Sequence, residues 1–260
     1  RTLEEVGKEF DVPVSASVRL RRKRSESSAI PAAAGNCGII WIKRGGFMEL
    51  SKRLTAVAAL VTAGSFIADI GTDHGYVPIY LMKHGRIRGA VAADVNQGPL
   101  ERARMNIVQE GLEGSIKLRL SDGLKNIGEE ETDVMVAAGM GGGLIARILE
   151  EGGKTAEALK ECILQPQSEV WKVREYLAGH GWAVTAEDMV EEDHKFYPMI
   201  KAVRGLPEYY EKYEYIYGKK LLEMKHPVLK KFLLRERGIQ EGIRHRLMSS
   251  GKSSSAELRL

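Results

Sequence analysis

The stretch SFIADIGTDHG, residues 65–75, decides how this chain is read. Residues 66–70 are apolar apart from Asp69 and suit a short buried strand. Gly71 and Gly75 punctuate a turn, and YVPIYL at residues 76–81 reads as a helix. Strand, glycine turn and helix form the opening unit of a doubly wound α/β domain. In such domains ligands sit at the carboxyl ends of the strands. The two glycines let the backbone approach a ligand closely, and the helix N-terminus behind them offers free N–H groups.

The acids of this loop narrow the ligand. Asp69 precedes the first glycine by two residues, and Asp73 lies inside the turn. A loop built for a pyrophosphate avoids two carboxylates, because like charges repel. A ligand with a cationic amino-acid tail welcomes them. S-adenosylmethionine carries an ammonium and a sulfonium and fits this loop better than a dinucleotide. The spacing Gly71-x-x-x-Gly75 also departs from the dinucleotide fingerprint. The plainer alternative is that any strand–glycine–helix junction looks like this.

On the N-terminal side of this unit, residues 50–61 place apolar side chains at 50, 54, 57, 58 and 61, the spacing of one buried helix face, with Ser51 able to cap it. On its C-terminal side, residues 89–93 read as a second strand ending at Asp94. An acid there can accept both hydroxyls of a ribose. Alternatively, Asp94 or Asn96 caps the helix expected over residues 98–110. Residues 115–120 form a third strand, with Asp122-Gly123 after it. That carboxylate could accept from an exocyclic amine such as adenine N6, although a type I turn also favours Asp-Gly.

Residues 133–138 form the fourth strand and run into GMGGG at 139–143, a close approach to a ligand or a tight turn. Next come a helix over 144–151, a strand over 162–165, and a helix over 170–177 capped by Ser168. Two strands then come in succession, 182–189 and 196–203, and imply an antiparallel hairpin at the sheet edge. Five β/α units closed by a hairpin make the α/β pattern of the class I, Rossmann-like methyltransferases.

Composition excludes several classes. Two cysteines, Cys37 and Cys162, allow neither a disulfide framework nor a cysteine zinc cluster, and they fit a reducing, cytoplasmic setting. No apolar run approaches the ~18 residues of a membrane helix, and no secretory pattern opens the chain. The net charge of +4 is unevenly spread: residues 1–47 carry +4, residues 48–200 carry −7 and residues 201–260 carry +7. A basic tail on an acidic body suggests a polyanion partner, or else a solvated helix face.

Residues 13–38 lack any apolar period and read as disordered. RTLEEVGKEFDV, residues 1–12, resembles the helix-turn-helix region near the end of primary sigma factors. From VSASVRLRRK (residues 14–23) onward the chain is similar to the rest of such a gene read out of register. Residues 1–47 are therefore expected to be an out-of-frame upstream extension, with Met48 the native start; the alternative is a basic arm for nucleic acid. Beyond Leu206-Pro207, residues 206–260 form a helical tail. A helix over 208–225 places Tyr209, Tyr213, Ile216 and Tyr217 on one side. Pro227 restarts a second helix whose Val228, Phe232, Ile239, Ile243 and Leu247 suit a helical hairpin or short coiled coil.

ADIGTDHGYVPIYL, GPLERA, SDGL, AGMGGGLI, LQP and KFYPMI, spread over residues 50–204, resemble the bacterial tRNA adenine-22 N1-methyltransferases, the TrmK family. The pairing of DIGTDHGY with AGMGG is the most specific part. The departures are Gly75 where Ala is usual, AADVNQGP in place of a Gly-Glu-Val form, and Pro198 after Tyr197 where an acid is usual. The resemblance implies a methyltransferase domain over 48–205, S-adenosylmethionine, tRNA as partner, transfer to adenine N1, and a C-terminal coiled coil whose Lys and Arg contact phosphates. It places Asp69, Gly71 and Asp73 at the methionine end of the cofactor, Asp94 at the ribose, and Asp122 with Gly123 at the adenine. Ala138, Gly139, Met140 and Gly141 line the floor between cofactor and target base. His74, Tyr76 and Gln165-Pro166 face the same cleft, with His74 and Tyr76 the catalytic candidates. Each also has a structural reading, as a hydrogen-bonding or packing residue.

The expected agent is a monomer that needs no metal and no membrane. The other readings are a methyltransferase of a different RNA or small molecule, and an inactive cofactor-binding protein that interacts with RNA.

Overall fold

The computed structural model describes residue 10, residues 49–206 and residues 208–249, side chains excepted at 247–249. The expectations for residues 1–47 and 250–260 lie outside the described residues, apart from Phe10. That side chain is buried against Met189, Leu221 and Leu229.

A seven-stranded sheet has the order β3-β2-β1-β4-β5-β7-β6. Its strands are β1 (Ser65–Ile70), β2 (Ile87–Asp94), β3 (Ile116–Leu120), β4 (Val134–Gly141), β5 (Glu161–Ser168), β6 (Trp182–Glu192) and β7 (Lys195–Arg204). β1 to β5 are parallel; β7 runs antiparallel to β5 and pairs with β6 as the expected edge hairpin. The crossovers are α1 (Lys52–Leu60), α2 (Tyr76–Lys83), α3 (Gln97–Gln109), α4 (Gly142–Glu151), α5 (Gly153–Ala158) and α6 (Val170–Gly179). Strand order reverses between β1 and β4, the switch point where such sheets open a crevice.

The core follows the two-residue period of the strands. Ala68, Val91, Met135 and Cys162 face one layer with Ile145 and Leu177. Ile67, Ala92, Val136 and Ile163 face the other with Val57, Ile79 and Ile107. The Ser51 hydroxyl accepts from the Leu54 amide at 3.3 Å and caps α1, as its sequence suggests.

Three expectations are corrected. The fourth strand does not end at residue 138: β4 extends through Gly141 and α4 begins at Gly142, which sets aside the tight-turn alternative for the glycine run. Ser168 does not cap α6; Glu169 does, in a left-handed conformation with no side-chain cap bond.

The tail helix expected over 208–225 is broken at Gly218 into α7 (Lys212–Tyr217) and α8 (Lys219–Glu223). The cause is a buried ion pair. Arg174 of α6 and Glu187 of β6, 1% and 0% exposed, meet at 2.7 Å. Arg174 donates to the carbonyls of Tyr215 and Ile216, and the Lys220 amide donates to Glu187. A β-carbon at Gly218 would lie within 2.7 Å of both side chains, and its φ of +94° suits glycine alone. One long helix, α9 (Pro227–Ser249), completes the tail. Among the described residues it has no second long helix to pair with as a coiled coil.

Candidate functional site

The carboxyl ends of β1, β2, β3 and β4 gather the predicted residues. Asp69 lies on the same strand face as Ile67 and is 7% exposed. Burial pushes its pKa up to about 6; the nearby Thr72 hydroxyl opposes this, and the neighbouring charge of Asp94 adds to it. Among the described residues no cation pairs with it. Asp94 ends β2 and is also buried. Its Oδ1 accepts the Asn96 amide at 2.7 Å, which tightens the turn into α3, while Asn96 itself is the helix cap.

The loop after β1 is pinned beside Asp94. The amides of Gly71 and Thr72 both donate to the Ala93 carbonyl, at 2.8 and 3.0 Å. Gly71 has a φ of +74°, and an added β-carbon would collide with the Met140 methyl. The left-handed backbone is what favours glycine there, since the Met140 methyl ends a flexible side chain that can swing aside. The Ser121 amide donates to the Asp94 carbonyl at 2.9 Å and brings Asp122-Gly123 to the same rim. The Asp122 carboxylate is exposed and meets Lys125 at 2.7 Å; hydrogen bonding from that lysine holds its pKa below the ordinary range.

Asp73 stands apart from these acids. It is exposed and bound to Arg102 of α3, a partner that the sequence reading missed. His74 Nε2 lies 3.4 Å from Asp73, and its ring stacks on Tyr76 with centroids 4.8 Å apart and planes 7° from parallel. Burial lowers the pKa of His74 against the pull of Asp73, which favours the neutral ring at pH 7. Asn106 of α3 holds the His74 carbonyl at 2.8 Å.

On the β4 side, the Gly139 amide donates to Gln165 Oε1 at 3.1 Å. Arg53 of α1 donates to the same oxygen at 2.8 Å and lies over the Tyr197 ring. Arg53 and Tyr197 were not singled out from the sequence. The available signal for Arg53 was a cation four residues before Val57, on a helix face that is otherwise apolar.

The chemistry available is therefore a buried anionic pocket at β1 and β2, facing a nearly side-chain-free strand end at β4. It suits a ligand with a cationic head and a diol, placed beside a flat second substrate.

The chain matches the family described as methyltransferase domain over residues 50–200. It is 39% identical over 158 residues to the tRNA (adenine(22)-N(1))-methyltransferase of Bacillus subtilis (strain 168), an alignment covering 61% of this chain and 66% of that relative, just under two thirds of its length. It is also similar to the crystal structure of the B. subtilis M1A22 tRNA methyltransferase TrmK, at 32% identity and a TM-score of 0.71, covering 81% of this chain and 92% of that one. The structure of M. capricolum TrmK with the cofactor product S-adenosyl-homocysteine is 31% identical, with a TM-score of 0.68, covering 75% of this chain and 86% of that one.

Proposed function

The chain belongs to the TrmK family of methyltransferases, and from that premise we propose that it moves a methyl group from S-adenosylmethionine to N1 of adenine 22 in tRNA. The observation that carries this reading is Asp69, a buried carboxylate without a protein cation among the described residues, next to Asp94 and opposite the bare end of β4. An ammonium-bearing ligand is the counterpart such a site lacks.

When bound, S-adenosylmethionine supplies an electrophilic methyl on its sulfonium. Asp69 and Gly71 hold its methionine end, Asp94 its ribose, and Asp122 with Gly123 its adenine side. Asp73 acts through the loop that its bond to Arg102 anchors. Ala138 to Gly141 give a flat floor for a base turned out of the RNA. Adenine N1 attacks through an in-plane lone pair and carries no proton, so no base is needed before attack and no metal is called for. Catalysis is then positioning and electrostatics. The cationic product later sheds a proton from N6. His74, favoured as the neutral ring by burial and stacked on Tyr76, is the side chain suited to receive it. Residues 48–205 do the chemistry and the basic tail from 206 grips phosphates. The protein acts as a monomer in the cytoplasm, where tRNA is modified.

The test uses the full chain with methyl-labelled S-adenosylmethionine and unmodified tRNA transcripts carrying A22 or G22. Label in the A22 set alone is expected. Label in both sets would move the target base, and label in neither would overturn the reading.

A further inference from the structure

The Gly139 peptide is held in an unusual way. β4 pairs with β5 through Ala138 opposite Gln165 and then Met140 opposite Pro166, so the ladder shifts register at Gly139. The bulge takes the Gly139 amide out of the regular ladder, and the Pro166 carbonyl takes a side-chain donor. A single side chain serves both groups. Gln165, 0% exposed, turns its Oε1 to the Gly139 amide at 3.1 Å, and its Nε2 donates to the Pro166 carbonyl at 3.1 Å.

The same Oε1 accepts Arg53 Nη1 at 2.8 Å, with the guanidinium 5.5 Å from the centre of the Tyr197 ring. Two donors on one atom fix the amide's orientation, because the opposite rotamer would put an NH₂ group against both. Three distant parts of the chain (α1, the β4–β5 bulge and β7) therefore meet on one peptide. Bulges re-aim the residues beyond them. Here those residues are Met140, which lies against the Gly71 loop, and Gly141, the N-cap of α4.

We infer that Arg53 and Gln165 form a clamp on the Gly139 peptide, and that both are positioning residues for methyl transfer. This rests on the methyltransferase reading for its kinetic consequence but not for its geometry. Gln165 holds the peptide, and Arg53 acts through Gln165. Neither belongs to the Asp69–Asp94 pocket, so the clamp governs the alignment of the second substrate rather than cofactor affinity. Misplacing a strand end by a fraction of an ångström lowers the rate without loosening the donor.

The experiment measures single-turnover transfer to tRNA, the dissociation constant for S-adenosylmethionine, and hydrogen exchange of the Gly139 amide. The variants are Arg53→Ala, Gln165→Leu, Gln165→Glu and the double variant Arg53→Ala with Gln165→Leu. Arg53→Ala and Gln165→Leu are expected to slow transfer by about tenfold or more, with cofactor affinity within about twofold of the parent. The double variant is no slower than Gln165→Leu, because Arg53 then has nothing to act through. Gln165→Glu keeps an acceptor oxygen for Gly139 and Arg53 but loses the donor to the Pro166 carbonyl, so it is expected to recover part of the rate that Gln165→Leu loses. Additive losses, parallel losses of cofactor affinity, or full-speed transfer by Gln165→Leu overturn the clamp. Should Gln165→Leu fail to fold, Arg53→Ala against Gln165→Glu decides the matter on the same readouts. Should the parent protein not methylate tRNA at all, the function reading fails and exchange at Gly139 still tests the clamp. Faster exchange in Arg53→Ala supports it, and unchanged exchange ends it.

Discussion

The two ends of the central sheet treat their acids in opposite ways. At the end where β4 and β5 begin, Glu161 and Asp133 each have a cation. Glu161 meets Lys201 at 3.0 Å and takes the Thr62 amide at 3.0 Å. Asp133 meets Lys160 at 2.8 Å and Arg88 at 3.4 Å, and it also holds the Phe66 amide. Its carboxyl is held below the ordinary range, chiefly by the hydrogen bond from Lys160. At the other end Asp69 is as deeply buried as Glu161 but, among the described residues, has no cation and lies beside a second acid, Asp94. One end is finished as folded. The other carries an unbalanced charge that a cationic ligand would complete, and the proposed binding site rests on that imbalance.

The largest effect expected from this contrast is at Asp69. Asp69→Asn removes the charge while keeping the shape, and it should weaken S-adenosylmethionine binding on the order of a hundredfold, as for a buried ion pair that loses one partner. The same variant should melt higher than the parent without ligand, because a costly buried charge is gone. Calorimetric titration and thermal melting read the two signs. Unchanged affinity, or a lower melting temperature in the apo protein, would remove the contrast between the two ends.

Gly71→Ala attacks the shape of the loop instead of the charge. Alanine in a left-handed conformation costs about 1–2 kcal/mol, and the new methyl also displaces Met140. Cofactor affinity should fall about tenfold or more while Asp69 keeps its raised pKa. Titrating the variant by carboxyl NMR separates shape from charge.

The pH dependence is set by the sign of the Asp69 shift. Its pKa is about 6 in the folded protein against 3.8 for an ordinary aspartate. The folded apo protein therefore binds this proton more tightly than the unfolded chain, so this group's contribution to stability falls as pH rises from about 4 to 6. The whole change is about 3 kcal/mol. Cation binding needs the ionised form, so affinity should fall as pH drops below about 6, approaching tenfold per pH unit. Both slopes should vanish in Asp69→Asn. An affinity flat from pH 7 to 5 would place the ammonium elsewhere.

Much of this was legible in the sequence because buried parallel strands print their apolar runs directly, and Asp69 interrupts one of them. Asp94 and Gly71 were found by their distance from it. What the sequence hid depends on contacts between distant segments. Arg53 meets Gln165 across 112 positions, so no local pattern reveals their shared oxygen. Asp73 reads as a ligand acid until α3 brings Arg102 against it. That the glycine run continues the strand was hidden because its pairing with β5 is carried by backbone and a bulge. The break at Gly218 is dictated by Arg174 and Glu187, neither of which belongs to the tail.

The smallest expected effect on binding lies at the finished end, and it is the control that gives the contrast its force. Glu161→Gln leaves Lys201 without its carboxylate in a setting only partly open to water, while Thr62 keeps an acceptor. The loss should be about 1–3 kcal/mol of stability, the cost of a hydrogen bond to a charged group. Denaturant unfolding would read it as a lower midpoint with an unchanged slope. Affinity for S-adenosylmethionine should stay within about twofold, because β1 and β2 carry the pocket and Glu161 touches neither end of it. Asp69→Asn and Glu161→Gln therefore have opposite signatures: one loses ligand and gains stability, the other loses stability and keeps ligand. If both lost stability alike, the two ends of the sheet would differ only in which partners hold their acids, and the unbalanced charge at Asp69 would no longer mark a site.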